Sequence, residues 1–94
     1  MLVIAQHHIS NPEEFWKSAM EHTKVLPAPL KLHGVYPSTD KTNATCVWEG
    51  DSAEEVQNFV DKFTSGFAKN YCYELDVKGS MGAPLIPQAM EHAN

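Results

Sequence analysis

The sequence contains seven lysines and no arginine, and its formal net charge is −5. A surface that binds nucleic acid needs clustered Lys and Arg side chains to contact the phosphates, so this composition argues against a nucleic-acid partner. Arginine also supplies the paired hydrogen bonds that commonly hold the carboxylate or phosphate group of a substrate. A substrate held by such an arginine is therefore not expected here.

Cysteine is also scarce, because Cys46 and Cys72 are the only two and each lies in a strand-like segment. Their spacing matches neither a zinc-binding motif nor a redox motif, so we expect two buried, reduced thiols. The sequence has no glycine-rich phosphate-binding loop and no serine nucleophile motif. We expect neither a cofactor nor a resident metal ion.

No apolar run approaches the ~20 residues that are needed to span a bilayer, so no membrane partner is expected. The first eight residues have no basic flank and become polar after five residues, which predicts a strand rather than a signal peptide. The protein is therefore expected to be cytoplasmic. Ninety-four residues, 43% of them hydrophobic, suffice for one domain with a modest core.

Six segments with regular periodicity follow one another along the chain. Two begin with strong helix-start signals, Ser10-Asn11-Pro12 and Asp51-Ser52, each followed by glutamates and then by apolar residues at helical spacing. The other four are rich in β-branched or alternating apolar residues, which is typical of strands. The predicted elements are strand 2–8, helix 12–25, strand 30–37, strand 44–49, helix 51–63 and strand 70–77.

This β-α-β-β-α-β order predicts a ferredoxin-like α+β domain over residues 1–78, followed by a tail over 79–94. The four strands would form an antiparallel sheet in the order 4-1-3-2, with both helices on one face. A tight turn at Asp40 and Lys41 would place His33 opposite Trp48 on the next strand. It would also place Val35 opposite Cys46.

On this register the helices cover the face that carries Leu2, Ile4 and Val47. The uncovered face would then carry a broad set of mostly apolar side chains: Val3, Ala5, His7, Val35, Ala44, Cys46 and Trp48. An apolar face of this breadth is seldom left to water, and two-fold dimers are the commonest oligomers. We therefore expect a homodimer that packs sheet against sheet.

Four short motifs resemble those of small, mostly uncharacterised proteins of the dimeric α/β-barrel superfamily. They are a strand ending in His7, the strand Leu30-Lys31-Leu32-His33, the strand Cys46-Val47-Trp48-Glu49, and the sequence Met81-Gly82-Ala83-Pro84. The resemblance implies a ferredoxin-like fold that dimerises into an α/β barrel. The superfamily includes cofactor-free monooxygenases, isomerases, haem-degrading enzymes and metal-binding proteins. The resemblance therefore does not indicate which function this chain has.

His7 and His33 are the candidate catalytic residues, because an imidazole can accept or donate a proton near neutral pH. The alternative is a histidine packed against Trp48, with its ring nitrogens bonded to backbone or water. Aromatic residues on the strands suit either a ligand pocket or ordinary packing. The candidate pocket residues are Trp48, Tyr71, Tyr36 and Cys46.

The leading hypothesis is a small-molecule-binding protein, or a cofactor-free enzyme resembling a monooxygenase or isomerase, that holds an apolar molecule between sheet and helices. His33 or His7 would move a proton, and Trp48 and Tyr71 would shape the cleft. One alternative is a metal-binding protein that uses the two histidines, for which the other conceivable ligands are Cys46 and Glu74. The second alternative is a domain that only dimerises.

Overall fold

The computed structural model describes residues 1–81 and contains six elements in the predicted order. They are β1 (Leu2–Ile9), α1 (Pro12–His22), β2 (Lys31–Pro37), β3 (Asn43–Glu49), α2 (Ala53–Phe63) and β4 (Ala68–Glu74). The strands form one antiparallel sheet in the order β2-β3-β1-β4, which confirms the predicted ferredoxin-like α+β fold. Neither helix of these residues is long and apolar enough to cross a membrane. Most of the predicted tail, residues 82–94, lies outside the described residues.

Both helices begin at the predicted capping residues. The side-chain oxygens of Asn11 and Ser52 each accept a hydrogen bond from the backbone N–H three residues further on. Helix α1 ends at His22, earlier than its sequence predicts. Thr23 is the C-cap, and it donates both its N–H and its hydroxyl to the Ala19 carbonyl, at 3.0 and 2.7 Å.

A β-bulge at His33 interrupts the pairing of β2 with β3. Leu32, rather than His33, lies opposite Trp48, so the predicted pairing of His33 with Trp48 is wrong. The bulge inserts one extra residue into β2, and the register then continues on β3 without a gap. The predicted pair of Val35 and Cys46 lies beyond the bulge and is confirmed.

The helices cover the opposite face of the sheet from the predicted one. The core beneath them contains Val3, Ala5, Cys46 and Trp48 from the strands together with Leu30, Val56, Val60 and Phe63. The prediction that these strand residues lie on the uncovered face is therefore wrong. The face without helices, called the outer face below, carries a smaller buried cluster of Leu2, Ile4 and Val47, packed by Leu75 and Val77. Residues 2–5 are all buried, so their sequence pattern does not select a face.

Helix α1 is packed more lightly than α2. It buries only Phe15, whereas α2 buries three apolar side chains. Two side-chain hydrogen bonds hold α1 in place: Ser18 Oγ donates to the Phe63 carbonyl at 2.6 Å, and Trp16 Nε1 donates to the Lys41 carbonyl at 3.3 Å. The start of α1 is therefore held against the sheet by few contacts. His7 lies in the part of the sheet that this end of the helix covers.

Candidate functional site

His7 lies on the helix-facing side of β1 and is only 4% exposed. The ring of Phe15, at the start of α1, lies 5.3 Å from the imidazole between ring centroids. Asn70 is directly opposite on β4, and its side-chain oxygen lies 2.6 Å from Nδ1 of His7. The imidazole is thus enclosed by an aromatic ring and held by a side-chain amide.

Burial lowers the pKa of His7 below its usual 6.5, because a charged imidazolium is costly away from water. The hydrogen bond with Asn70 and the negative charge of Asp61 act in the opposite direction without reversing the shift. His7 is therefore neutral at neutral pH. A neutral imidazole is the form that can accept a proton.

Asn70 is held in turn by side chains of α2. Its Nδ2 donates to Asp61 Oδ1 at 2.9 Å and to Thr64 Oγ1 at 2.7 Å. Gln57 supports the same group, since its Nε2 donates to the Asp61 carboxylate at 3.0 and 3.2 Å. We call His7, Asn70, Asp61, Thr64 and Gln57 the His7 cluster. It joins β1, β4 and α2 through polar contacts that run from the buried His7 and Thr64 to the exposed Asp61.

Four members of the His7 cluster were not predicted from the sequence. A signal was present, because Gln57, Asp61 and Thr64 recur at spacings of four and three and so share one stripe of α2. That stripe runs beside the apolar stripe of α2, and its polar residues are typical of an ordinary solvent-exposed helix surface. Asn70 follows the alternation of β4 onto the helix-facing side, where it meets His7.

His33 lies on the outer face, where its Nε2 donates to Glu49 Oε1 at 2.9 Å. The two side chains are 19% and 33% exposed. The hydrogen bond from His33 is the main cause that lowers the pKa of Glu49, so this carboxylate is anionic near neutral pH. The histidine ring is oriented by a charged partner, but it is not enclosed as His7 is.

The predicted pocket residues are divided between the two faces. Trp48 is 1% exposed and packs edge-to-face against Phe59, with ring centroids 5.8 Å apart. Its Nε1 is the one buried side-chain N or O atom without a hydrogen-bond partner among the described residues. Cys46 is buried in the same core, and this burial raises the pKa of its thiol to about 12, so it is a poor nucleophile.

Tyr36 and Tyr71 lie on the outer face and are 59% and 63% exposed. They occupy one row across the sheet, with Thr45 and Gln6 between them. An open depression of about 430 Å³ lies beside Tyr71, and its lining includes Gln6, Thr45 and Lys69. The structure therefore does not bring the tyrosines together with Trp48 and Cys46.

Residues 1–81 contain no group of three or more His, Cys, Asp or Glu side chains arranged to hold a metal ion. His7 and His33 lie on opposite faces of the sheet, so they cannot bind one ion together within a chain. Glu74 pairs with Val3 at the far end of β1 from His7, about 13 Å along the strand at ~3.3 Å per residue. Among the described residues, the ligands named in the metal-binding hypothesis therefore do not converge on one point.

No family model matches the sequence, and neither a curated protein nor a solved structure matches it. The chain is a small α+β protein with four antiparallel strands and two helices. A fold of this kind hosts many unrelated activities, so the function of the protein must be inferred from the geometry of the site.

Proposed function

We propose that the protein binds an apolar small molecule between its sheet and helices and exchanges a proton with it through His7, without a cofactor. The observation that carries this proposal is the buried imidazole of His7, kept neutral by burial and held by Asn70. Ligand sites are mostly apolar with a few placed polar groups, and the layer around His7 has this composition. A general base must be unprotonated at the working pH before it can accept a proton.

The ligand class that fits is an apolar molecule with a weakly acidic O–H, or with a C–H beside a carbonyl group. The bond to that hydrogen breaks, its electron pair stays on the ligand, and a new N–H bond forms on the imidazole. Return of the same proton to another atom of the ligand completes an isomerisation and restores neutral His7. No oxidant or further reactant is needed for this sequence of steps.

Trp48 suits the other end of such a ligand. It lies on the helix-facing side four positions along β3 from Ala44, the partner of His7, so the two residues are offset by about 13 Å along the strands. Its unpartnered N–H would donate to a ligand oxygen. Phe15 covers the imidazole and is the single buried residue of α1, so a shift of the start of this helix would admit the ligand.

The test uses 4-nitrophenol, an apolar weak acid whose neutral and ionised forms absorb at different wavelengths. Wild-type protein is expected to bind it saturably and to change its ionised fraction. His7→Asn keeps an N–H that reaches Asn70 but has no basic nitrogen, so the change should fall by at least about tenfold. His33→Gln is the matched control and should behave as wild type. No saturable binding, or equal ionisation with His7→Asn, would contradict the proposal.

We further propose that the chain forms a homodimer of the dimeric α/β-barrel kind through its outer face. Three tyrosines on this face, Tyr36, Tyr71 and Tyr73, are 59%, 63% and 36% exposed. Tyrosine is enriched at protein interfaces, because it combines a large apolar ring with a polar tip. A second copy related by a two-fold axis would cover all three rings at once.

Sedimentation equilibrium tests the homodimer. Wild-type protein is expected to be dimeric at micromolar concentration, and Tyr71→Glu should weaken the dimer at least about tenfold, because it places a charge in the interface. Met20→Glu is the control, since Met20 is 68% exposed on α1 and far from the outer face. A monomeric wild-type protein, or equal effects of the two substitutions, would contradict this assembly.

A further inference from the structure

The hydrogen-bond directions in the His7 cluster follow from what each group can donate. Thr64 donates its hydroxyl hydrogen to the Val60 carbonyl at 2.7 Å, so towards Asn70 its oxygen can only accept. The carboxylate oxygens of Asp61 carry no hydrogen and also only accept. Both amide hydrogens of Asn70 therefore point towards α2, and its side-chain oxygen is left facing His7.

The opposite orientation of the Asn70 amide is disfavoured. The amide nitrogen now lies 2.9 Å from Asp61 Oδ1 and 2.7 Å from Thr64 Oγ1. The opposite orientation would put the amide oxygen at about the same place. An oxygen there would face two acceptors and would lose both hydrogen bonds. Gln57 keeps Asp61 in position for this selection, because its Nε2 bonds both carboxylate oxygens.

An amide oxygen cannot donate, so the 2.6 Å contact requires a hydrogen on Nδ1 of His7. A neutral imidazole carries one ring hydrogen, which leaves Nε2 with a free lone pair. We propose that Asn70, oriented by Asp61 and Thr64, holds His7 in the Nδ1–H tautomer and makes Nε2 the nitrogen that takes up the proton. Asn70 is then a positioning residue, and this role rests on the proposed function of His7.

The contact between His7 and Asn70 has one consequence that can be measured separately from the stability of the fold. The tautomer of a histidine is set by the hydrogen bond that its other nitrogen makes, so the Asn70 contact determines which nitrogen is basic. The tautomer can be read directly, without any ligand.

The experiment is a long-range ¹H–¹⁵N correlation spectrum of the ¹⁵N-labelled protein slightly above neutral pH. His7 of the wild type is expected to show a protonated Nδ1 and an unprotonated Nε2, with this tautomer favoured by about tenfold or more. Asn70→Ala and Asp61→Asn should each reduce that preference severalfold. Asn58→Ala is the matched control, because Asn58 is exposed on the same helix and should leave the His7 signals unchanged.

A predominant Nε2–H tautomer in the wild-type protein would overturn the inference, whether or not the variants fold. An unchanged tautomer ratio in folded Asn70→Ala would also overturn it. The Nδ1–H tautomer found together with a failure to bind 4-nitrophenol would uphold the assignment of the tautomer to Asn70 and contradict the proposed function. The two conclusions therefore fail independently of each other.

Discussion

His7 and His33 lie on opposite faces of the sheet, near opposite ends of β3. His7 pairs with Ala44 on this strand, and His33 is bonded to Glu49, five positions further along. At ~3.3 Å per residue, these positions are about 17 Å apart. The two histidines therefore belong to separate environments, one enclosed beneath the helices and one on the outer face.

This separation predicts additive effects on stability. We expect His7→Ala to lower the free energy of unfolding more than His33→Ala, because it removes a buried ring and leaves the side-chain oxygen of Asn70 without its hydrogen-bond donor. The double variant should equal the sum of the two within ~0.5 kcal/mol, since the sites share no partner. Urea unfolding of the wild type, the two single variants and the double variant measures these free energies. A coupling energy above ~1 kcal/mol would mean that the two sites communicate.

The two cysteines should remain reduced and unreactive in the folded protein. Cys46 and Cys72 both pair with Ala5, one from each side, so their Cα atoms are about 10 Å apart, beyond the ~7 Å limit for a disulfide. Burial raises the pKa of each thiol to about 12.

Iodoacetamide labelling followed by mass spectrometry tests this prediction. Because the thiolate is the reactive form, labelling of the native protein at mildly alkaline pH should be roughly a thousandfold slower than in urea. The same reaction in urea is the control for reagent activity. Rapid labelling of the native protein, or an intramolecular disulfide under oxidising conditions, would contradict the placement of the thiols.

Gln57 closes the free edge of β4. Its Oε1 accepts from the Cys72 N–H at 2.8 Å and its Nε2 donates to the Asn70 carbonyl at 2.9 Å, so it occupies the place of a neighbouring strand. Gln57→Ala is expected to lower the free energy of unfolding by about 1–3 kcal/mol, because it leaves two edge groups of β4 unpaired. Urea unfolding measures the change. Exposed Asn58→Ala is the control, and an equal effect of both substitutions would refute this role.

Asp40 organises the hairpin between β2 and β3. Its Oδ1 accepts from the hydroxyls of Ser38 and Thr42, both at 2.7 Å, and from the Thr42 N–H at 3.0 Å. These bonds lower the pKa of Asp40 from 3.8 to about 2. Because the folded pKa is depressed, the ionised carboxylate supports the turn above pH 3.8, and this support is lost as the pH falls through about 2.

An NMR titration of the hairpin amides checks this prediction. The Thr42 N–H signal should shift with a midpoint near pH 2 in the wild-type protein. Asp40→Ala should remove that transition, whereas Asp51→Ala should keep it. A midpoint near the usual value for aspartate would show that the turn does not hold the carboxylate in this way.

The sequence predicted the order of the elements well, because helix caps and apolar periodicity are local signals. Asn11 and Ser52 cap the helices where the pattern indicated. The choice of sheet face could not be made locally, since Leu2 to Ala5 are buried on both faces and either alternation fits. The bulge at His33 also has no sequence signal of its own, and one extra residue reverses the faces of β2 around it.

The candidate site was predicted only in part. His7 was selected because histidine is the residue that titrates near neutral pH, and the structure places it in a buried position beneath the helices. Asn70 and Asp61 are far from His7 in the sequence, and only the pairing of β4 with β1 brings them together. Contacts of this kind depend on tertiary structure, so local patterns do not reveal them.

A ¹⁵N titration of the His7 ring in the folded protein is the decisive measurement of whether this imidazole is neutral at neutral pH. The predicted midpoint lies below 6.5, with His7→Asn assigning the signals. In that case the unfolded chain takes up the proton before the folded protein does as the pH falls below 6.5. The free energy of unfolding therefore decreases between pH 6.5 and the folded midpoint. A midpoint at or above 6.5 would mean that His7 is not kept neutral by burial, and it would contradict the account of the site.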